Sequence, residues 1–283
     1  MTIKELFNET ISQLNRFYGN NEAKSLTYIS FNNVFGFNKY QLYQNHKTIA
    51  TQKQVVKFNN IIHWLKLSKP IQYIFEETAF YNCTIKVNEH TLIPRPETEE
   101  LVEWIIESNT EDKPKILDIG TGSGCIAISL KKAISNATVS ACDIDEESLK
   151  TANENSERNK VKVNFKVCNI LEPPMHLLKE KYHLIVSNPP YVTEREKNKM
   201  EPNVLNWEPH SALFVPDDDP LKYYEIIIPL SWKILQPGGS IFLEINENFP
   251  EEVHQLLLSN QFSNIIIRKD ISGKYRMVKG EKL

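Results

Sequence analysis

Two short stretches of the chain hold residue types that can do chemistry. In "LIVSNPPYV" (184–192) a run suited to a strand ends in Asn188-Pro189-Pro190-Tyr191. Proline has no backbone N–H, so a sheet ladder must stop there. What remains at the strand end is a carboxamide oxygen, the free carbonyl of Pro189 and an aromatic ring. Two such acceptors can take both N–H bonds of a planar amide or aromatic amine. That nitrogen is a poor nucleophile because its lone pair is delocalised. Hydrogen bonds that pull it toward tetrahedral geometry aim the lone pair at an electrophile. Neither acceptor titrates near neutral pH, so the chemistry would rest on orientation and electrostatics. Tyr191 can pack on the planar group. The motif alone leaves open whether the nitrogen belongs to a nucleobase or to a glutamine.

The second stretch is "LDIGTGSGC" (117–125), which holds three of the nine glycines. Gly120, Gly122 and Gly124, with Thr121 and Ser123 between them, fall where a strand should turn into a helix. Glycine there permits positive φ and lets a ligand approach the backbone closely. Asp143, at the end of the next strand pattern, lies 23 residues after Gly120. That is about where a ribose-binding carboxylate belongs in a dinucleotide fold, so a nucleoside ligand is expected. A nicotinamide cofactor would explain the glycines but leave Asn-Pro-Pro-Tyr without a role. Asp118, just before the glycines, suits the cationic amino acid part of S-adenosylmethionine (SAM) better than it suits a nicotinamide site. Asp145 reads as a helix N-cap.

Both stretches need a scaffold that brings strand ends together. From Lys115 onward strands and helices alternate: "KILDIG" (115–120), "TVSACDI" (138–144), "VNFKVCN" (163–169), "HLIVSN" (183–188) and "SIFLEI" (240–245) read as strands, with helical patterns at 124–134, 146–158 and 221–236. That order predicts a doubly covered parallel sheet. "NIIIRKD" (264–270) and "KYRMVKG" (274–280), joined by "ISG", add an antiparallel hairpin at the end. The strand that carries Asn188 is the fourth, predicted to lie beside the first across the topological switch point. Upstream, apolar residues recur at helical spacing in 3–18 and 55–67, and only Gly19 and Gly36 interrupt the first 69 residues. A helical domain over 1–72, a β-hairpin linker over 73–96 and a catalytic domain over 97–283 are expected.

Bulk properties narrow the function class. A net charge of −3 argues against a protein built mainly to hold nucleic acid, although residues 1–90 carry 10 Lys+Arg against 6 Asp+Glu. No apolar run approaches the roughly 20 residues of a membrane span, and the first residues lack a signal-peptide core. Cys83, Cys125, Cys142 and Cys168 have no C-x-x-C spacing and read as buried thiols in a reducing cytoplasm. The seven histidines (His46, His63, His90, His176, His183, His210 and His254) show no ligand spacing, so no metal site is expected. Asp217-Asp218-Asp219 and "TEREKNK" (193–199) read as solvated loops, the latter a lip over the substrate.

With these residues in view the chain resembles a known family. "TLIPRPETEELVEWI" (91–105), "ILDIGTGSGCIAISL" (116–130), "IVSNPPYV" (185–192) and "WEPHSALF" (207–214) are similar to the HemK/PrmC family. Its members are bacterial methyltransferases that modify the glutamine of the Gly-Gly-Gln motif in class 1 peptide chain release factors. The resemblance implies a class I SAM-dependent methyltransferase fold, Rossmann-like and seven-stranded with a terminal antiparallel strand, preceded by a small helical domain for substrate recognition. It implies SAM held by Asp118, Gly120, Thr121, Gly122, Ser123, Gly124, Asp143 and Asn188, with Asn169 and Ile170 flanking the adenine. It implies that Asn188, Pro189, Pro190 and Tyr191 bind the substrate glutamine, with Asn188, Pro189 and Tyr191 catalytic, and that Arg95 and Glu97 shape the cleft. It also implies a cytoplasmic enzyme, expected to be a monomer, whose partner is the release factor, with no direct nucleic acid or membrane binding. The alternative reading is an adenine or guanine amino-methyltransferase of nucleic acid. The chain departs from the family pattern at Asn169, where Asp is usual, and at Glu76, Asn82 and Asn246, where glycine is usual.

Overall fold

The computed structural model describes residues 1–174 and 179–283, so His176 lies outside the described residues. The chain forms two compact units, residues Met1–Glu76 with Glu201–Trp207, and residues Glu77–Met200 with Glu208–Leu283.

The smaller unit is helical. Thr2 and Glu5 form a reciprocal capping box that starts α1 (Ile3–Tyr18), and Ile3, Leu6 and Leu14 bury one stripe of it. Gly19 and Gly36, both at positive φ, bound α2 (Asn20–Phe35). The sequence spacing does not announce α2, whose apolar residues form no single stripe. The short α3 (Lys39–Gln44), then α4 (Gln52–Lys66) and α5 (Ile71–Phe75) follow. Phe31 is fully buried at the centre, edge-on to Phe7 and Phe58 and stacked on Phe35. Trp207, from the late segment, meets Trp64 edge-to-face at 5.9 Å and donates its indole N–H to the Leu67 carbonyl. The Lys69 ammonium sits over both indoles, at 4.9 and 5.2 Å.

In the larger unit the hairpin of β1 (Glu77–Phe80) and β2 (Cys83–Lys86) comes first. It is shorter than the aromatic and β-branched run suggested, because Ile71–Phe75 is helical. Glu76, Tyr81 and Asn82 take positive φ, the backbone condition that favours glycine. Then come α6 (Pro96–Ser108), β3 (Lys115–Ile119), α7 (Cys125–Ala133), β4 (Thr138–Asp143), α8 (Glu146–Arg158), β5 (Asn164–Val167) and β6 (Tyr182–Ser187). The two-residue strands β7 (Val192–Thr193) and β8 (Phe214–Val215) pair with each other. The chain closes with α9 (Tyr224–Ile234), β9 (Leu235–Glu244), α10 (Pro250–Ser259), β10 (Ser263–Lys269) and β11 (Tyr275–Glu281).

The main sheet has seven strands in the order β10-β11-β9-β6-β3-β4-β5. Strands β3, β4, β5, β6 and β9 are parallel, and β11 runs against both of its neighbours. Parallel strands are covered on both faces, which explains their near-continuous apolar runs. On one face Leu117, Ile119, Ile185, Ile241 and Leu243 join Tyr224, Ile227 and Ile228 of α9 and Val253 and Leu257 of α10 in one core. Phe242 points to the other face and meets Trp104 of α6 edge-on. Strand order reverses at β3, so the carboxyl ends of β3 and β6 border the crevice where such sheets bind ligands.

Candidate active site

The glycine turn is shaped by its backbone. Gly120 and Thr121 both donate their N–H to the Cys142 carbonyl, which ties the turn to the neighbouring strand. Gly120, Gly122 and Gly124 have φ of 72°, 52° and 80°. A Cβ at Gly120 or Gly122 would meet nothing within 4 Å, since both line an open cleft. Gly124 is different: a Cβ there would lie 3.1 Å from Ala152 and Ile128 and 3.3 Å from Phe165. Its N–H bonds to the Thr121 carbonyl and its own carbonyl begins α7.

Two carboxylates flank the turn in opposite ways. Asp143 lines the cleft and accepts from the N–H groups of Gly122 at 2.7 Å and Asp145 at 3.1 Å. Burial raises its pKa against the pull of those amides. Asp118 lies beneath the turn, 0% exposed, and is not among the residues lining the cleft. It accepts from the Thr121 hydroxyl at 2.6 Å, while its Oδ1 makes no hydrogen bond of normal geometry. Burial pushes this carboxyl up to about 7, opposed by the Thr121 hydroxyl and the Ala127 amide.

The Asn188 turn follows β6, whose last residue, Ser187, donates its hydroxyl to the Ile119 carbonyl of β3. Asn188, Pro189 and Pro190 line the cleft. Asn188 Nδ2 donates to the Thr98 hydroxyl at 3.3 Å, and that hydroxyl donates to Glu244 Oε2 at 2.6 Å. Tyr191 is not among the lining residues: it packs against the core beside α9 and donates its hydroxyl to Glu244 Oε1 at 2.8 Å. Arg276, paired with Asp270 at 3.2 Å, points Nη1 at the same tyrosine oxygen at 3.3 Å. Burial raises the Glu244 carboxyl above its ordinary range, and the Thr98 and Tyr191 hydroxyls and Arg276 counter it.

The segment after Tyr191 is not a free loop. Residues Glu194–Lys199 form a 3-10 helix started by a Thr193–Glu196 capping box. Glu196 also accepts from Asn246 and Asn248. Asn246 donates to the Tyr191 carbonyl at 3.0 Å as well, a contact a glycine could not make. Of the acidic run, Asp217 accepts from the backbone and guanidinium N–H groups of Arg195.

The cleft contains roughly 1140 Å³ of empty space, part of it open to solvent. Its floor is the glycine turn, Asp143 and the Asn188 turn, and Ile144, Ile170 and Leu171 give it an apolar wall. Asn169 lines it too, with Oδ1 taking the Leu171 N–H at 3.1 Å. At the rim Arg95 donates to Glu208 Oε1 at 2.6 Å, and Ile93 N–H to Glu208 Oε2 at 3.1 Å. This pair fastens the Ile-Pro-Arg-Pro segment to the Glu-Pro-His-Ser segment. Asp145 caps α8 through the N–H groups of Glu147 and Ser148. An open glycine cradle, a carboxylate with spare lone pairs and an apolar wall fit an adenosyl ligand.

Sequence reasoning singled out the cleft floor and missed its supports: Thr98, Glu208, Glu244 and Arg276. One signal was present. In "SIFLEI" a single glutamate interrupts an otherwise apolar buried strand, and a carboxylate buried there must have partners.

Comparison with known proteins gives the family and the fold. The profile of the family described as "Methyltransferase small domain" matches residues 98–206. A release factor glutamine methyltransferase from Flavobacterium psychrophilum is 41% identical over 283 residues, 99% of each chain. One from Bacteroides thetaiotaomicron is 41% identical over 261 residues, 92% of this chain and 93% of that one. Among solved structures, a 16S rRNA methyltransferase from T. thermophilus in complex with AdoMet and guanosine superposes with a TM-score of 0.53 at 18% identity, covering 73% of this chain and 50% of that one. The fold is that of the class I SAM-dependent methyltransferases, and the chain belongs to the release factor glutamine methyltransferase family.

Proposed function

We propose that the protein transfers the methyl group of SAM to the side-chain amide nitrogen of the glutamine in the Gly-Gly-Gln motif of class 1 peptide chain release factors. The observation that carries this reading is the Asn188 carboxamide. Its Nδ2 is held by Thr98, so Oδ1 remains as an acceptor at a strand end that lines the cleft. With the Pro189 carbonyl it can take the two N–H bonds of one planar amide. The bound cofactor supplies an electrophilic methyl group on a sulfonium. Gly120, Thr121, Gly122, Ser123, Asp143, Asn169 and Ile170 line the half of the cleft that suits it. Gly124 holds the turn's shape, and Asp118, buried below, anchors the turn by accepting from the Thr121 hydroxyl.

Two neutral hydrogen bonds contribute about 0.5–1.5 kcal/mol each. Most of the rate must therefore come from alignment in a site that is already assembled. Tyr191, with its hydroxyl committed to Glu244, acts as a strut that fixes the turn. The reading places the protein in the cytoplasm as a monomer, with the release factor as partner and no nucleic acid bound directly. Among the described residues no helix is long and apolar enough to cross a membrane.

The test is methyl transfer from labelled SAM to the release factor of the same organism. Label is expected in the factor and absent when the target glutamine is replaced. Label entering DNA or RNA instead, or nothing at all, overturns the reading.

A further inference from the structure

The amide group of an asparagine can face a ligand with its oxygen or with its NH2, and only the oxygen accepts. We propose that Glu244, acting through the Thr98 hydroxyl, is the positioning residue that fixes the Asn188 carboxamide with its oxygen toward the cleft. The proposal rests on the acceptor role given to Asn188 above and adds what enforces that role.

The polarity follows link by link from donor and acceptor capacities. An ionised carboxylate only accepts, so the Thr98 hydroxyl, 2.6 Å from Glu244 Oε2, must spend its single proton there. The same hydroxyl can then only accept from its other neighbour, Asn188, 3.3 Å away. Asn188 must turn its NH2 inward and its oxygen outward. The other side of Glu244 is fixed in the same way. Arg276 donates to the Tyr191 hydroxyl at 3.3 Å, and that hydroxyl donates to Glu244 Oε1 at 2.8 Å. Both oxygens of one carboxylate are therefore committed as acceptors, one to each end of the Asn188–Tyr191 turn. Thr98 and Glu244 are 2% and 1% exposed, so within the described structure they have little access to solvent that could substitute for a missing partner. The Tyr191 hydroxyl has one proton, given to Glu244 Oε1, while it accepts from Arg276, and this holds the chain to one direction.

Glu244→Gln makes a specific reversal. The tyrosine side still requires an acceptor, so the new carboxamide keeps its oxygen there and turns its NH2 to Thr98. The Thr98 hydroxyl then accepts from it and donates onward to Asn188, whose carboxamide flips and offers NH2 to the cleft. The variant should lose about 100-fold in kcat, because two acceptors at the cleft become one and a donor now faces the substrate amide. A release factor carrying glutamate in place of the target glutamine offers a carboxylate, which that donor suits. The unmodified protein should bind the glutamine factor more tightly than the glutamate factor, and Glu244→Gln should abolish or reverse that preference.

Thr98→Val removes the relay without changing side-chain shape, and about a tenfold fall in kcat is expected, with SAM affinity held within about threefold. Thr98→Ser restores the hydroxyl and should recover kcat to within about threefold of the parent. A Thr98→Val variant with parental kcat overturns the proposal. So does a Glu244→Gln variant that loses rate but keeps the parental preference for the glutamine factor, because a merely structural role would do that. Should Glu244→Gln fail to fold, the contrast between Thr98→Val and Thr98→Ser decides alone. If Asn188→Ala itself leaves the rate unchanged, the acceptor role of Asn188 falls, and that outcome is distinct from failure of the relay.

Discussion

The two turns that floor the cleft leave adjacent strands at the same edge of the sheet, yet they are held by opposite means. The glycine turn after β3 is fixed by backbone conformation: three positive φ angles and two N–H bonds to one carbonyl of β4. The Asn188 turn after β6 has two prolines and correspondingly few donors of its own. Side chains from α6, β9 and β11 hold it instead. The first can leave an open face beside a ligand, because its backbone bonds and the Asp143 carboxylate set its shape without a bulky side chain in the way. The second can aim one chosen functional group, because its partners decide which atom faces out. A cofactor common to many enzymes suits the first solution; a reaction on one particular nitrogen suits the second.

The division of labour between the two turns is most exposed at Asn188. Asn188→Ala should lower kcat for methyl transfer by about 100- to 1,000-fold. SAM affinity by calorimetry should stay within a few-fold, and a comparable loss of both would mean that the two turns do not divide the work as stated.

The next effect concerns stability beneath the glycine turn. The folded pKa of Asp118, about 7, lies above its ordinary value of 3.8, so folding takes up a proton between the two. The stability linked to that proton is fully present below about pH 4 and is lost as pH rises through about 7. Asp118→Asn cannot ionise, so it should gain on the parent by a few kcal/mol, on the order of 3, between pH 5 and pH 8. Urea midpoints at the two pH values measure it, and equal gains at both would show that the carboxyl is not strained by burial.

Within the glycine turn two substitutions separate conformation from crowding. Gly122→Ala meets only the backbone penalty of positive φ, about 1–2 kcal/mol. Gly124→Ala adds contacts at 3.1–3.3 Å and should destabilise by about 2–4 kcal/mol. Thermal melts of both variants test the order, and Gly122→Ala should show its larger defect in SAM binding. The smallest effect is expected at Asn246. Asn246→Gly removes the brace on the Tyr191 carbonyl and should lower kcat by about threefold with little change in melting temperature. An increase in rate would mean that this brace restrains the turn rather than supporting it.

Legibility in the sequence followed the same division. A backbone-held turn writes itself into consecutive residues, so Gly120, Gly122 and Gly124 were readable, as was Asp143 one strand later. Asn188 was readable because the prolines beside it stop a ladder. The network that orients Asn188 was not, since Thr98 and Glu244 stand 146 residues apart and become neighbours only when α6 packs against β9. Tyr191 shows the limit of reading residue type alone. An aromatic ring beside a cleft suggests stacking, but its hydroxyl found a buried carboxylate and fixed the ring's place. The parallel strands and the closing hairpin were legible from alternation and apolar runs. Helix α2 was not, because glycine punctuation rather than a clear stripe defines it.

The late segment Glu201–Trp207 belongs to the smaller unit, although the rest of that unit ends at Glu76. During synthesis the helices of that unit therefore emerge roughly 130 residues before the indole that meets Trp64. At about 5–20 residues per second, that interval is on the order of 10 seconds. By the end of that interval β3, β4, β5 and β6 have left the ribosome, while Trp64 and Lys69 still lack the second indole they meet. A unit made before the sheet is thus completed after most of it, and a nascent chain stalled before Trp207 holds an unfinished helical unit.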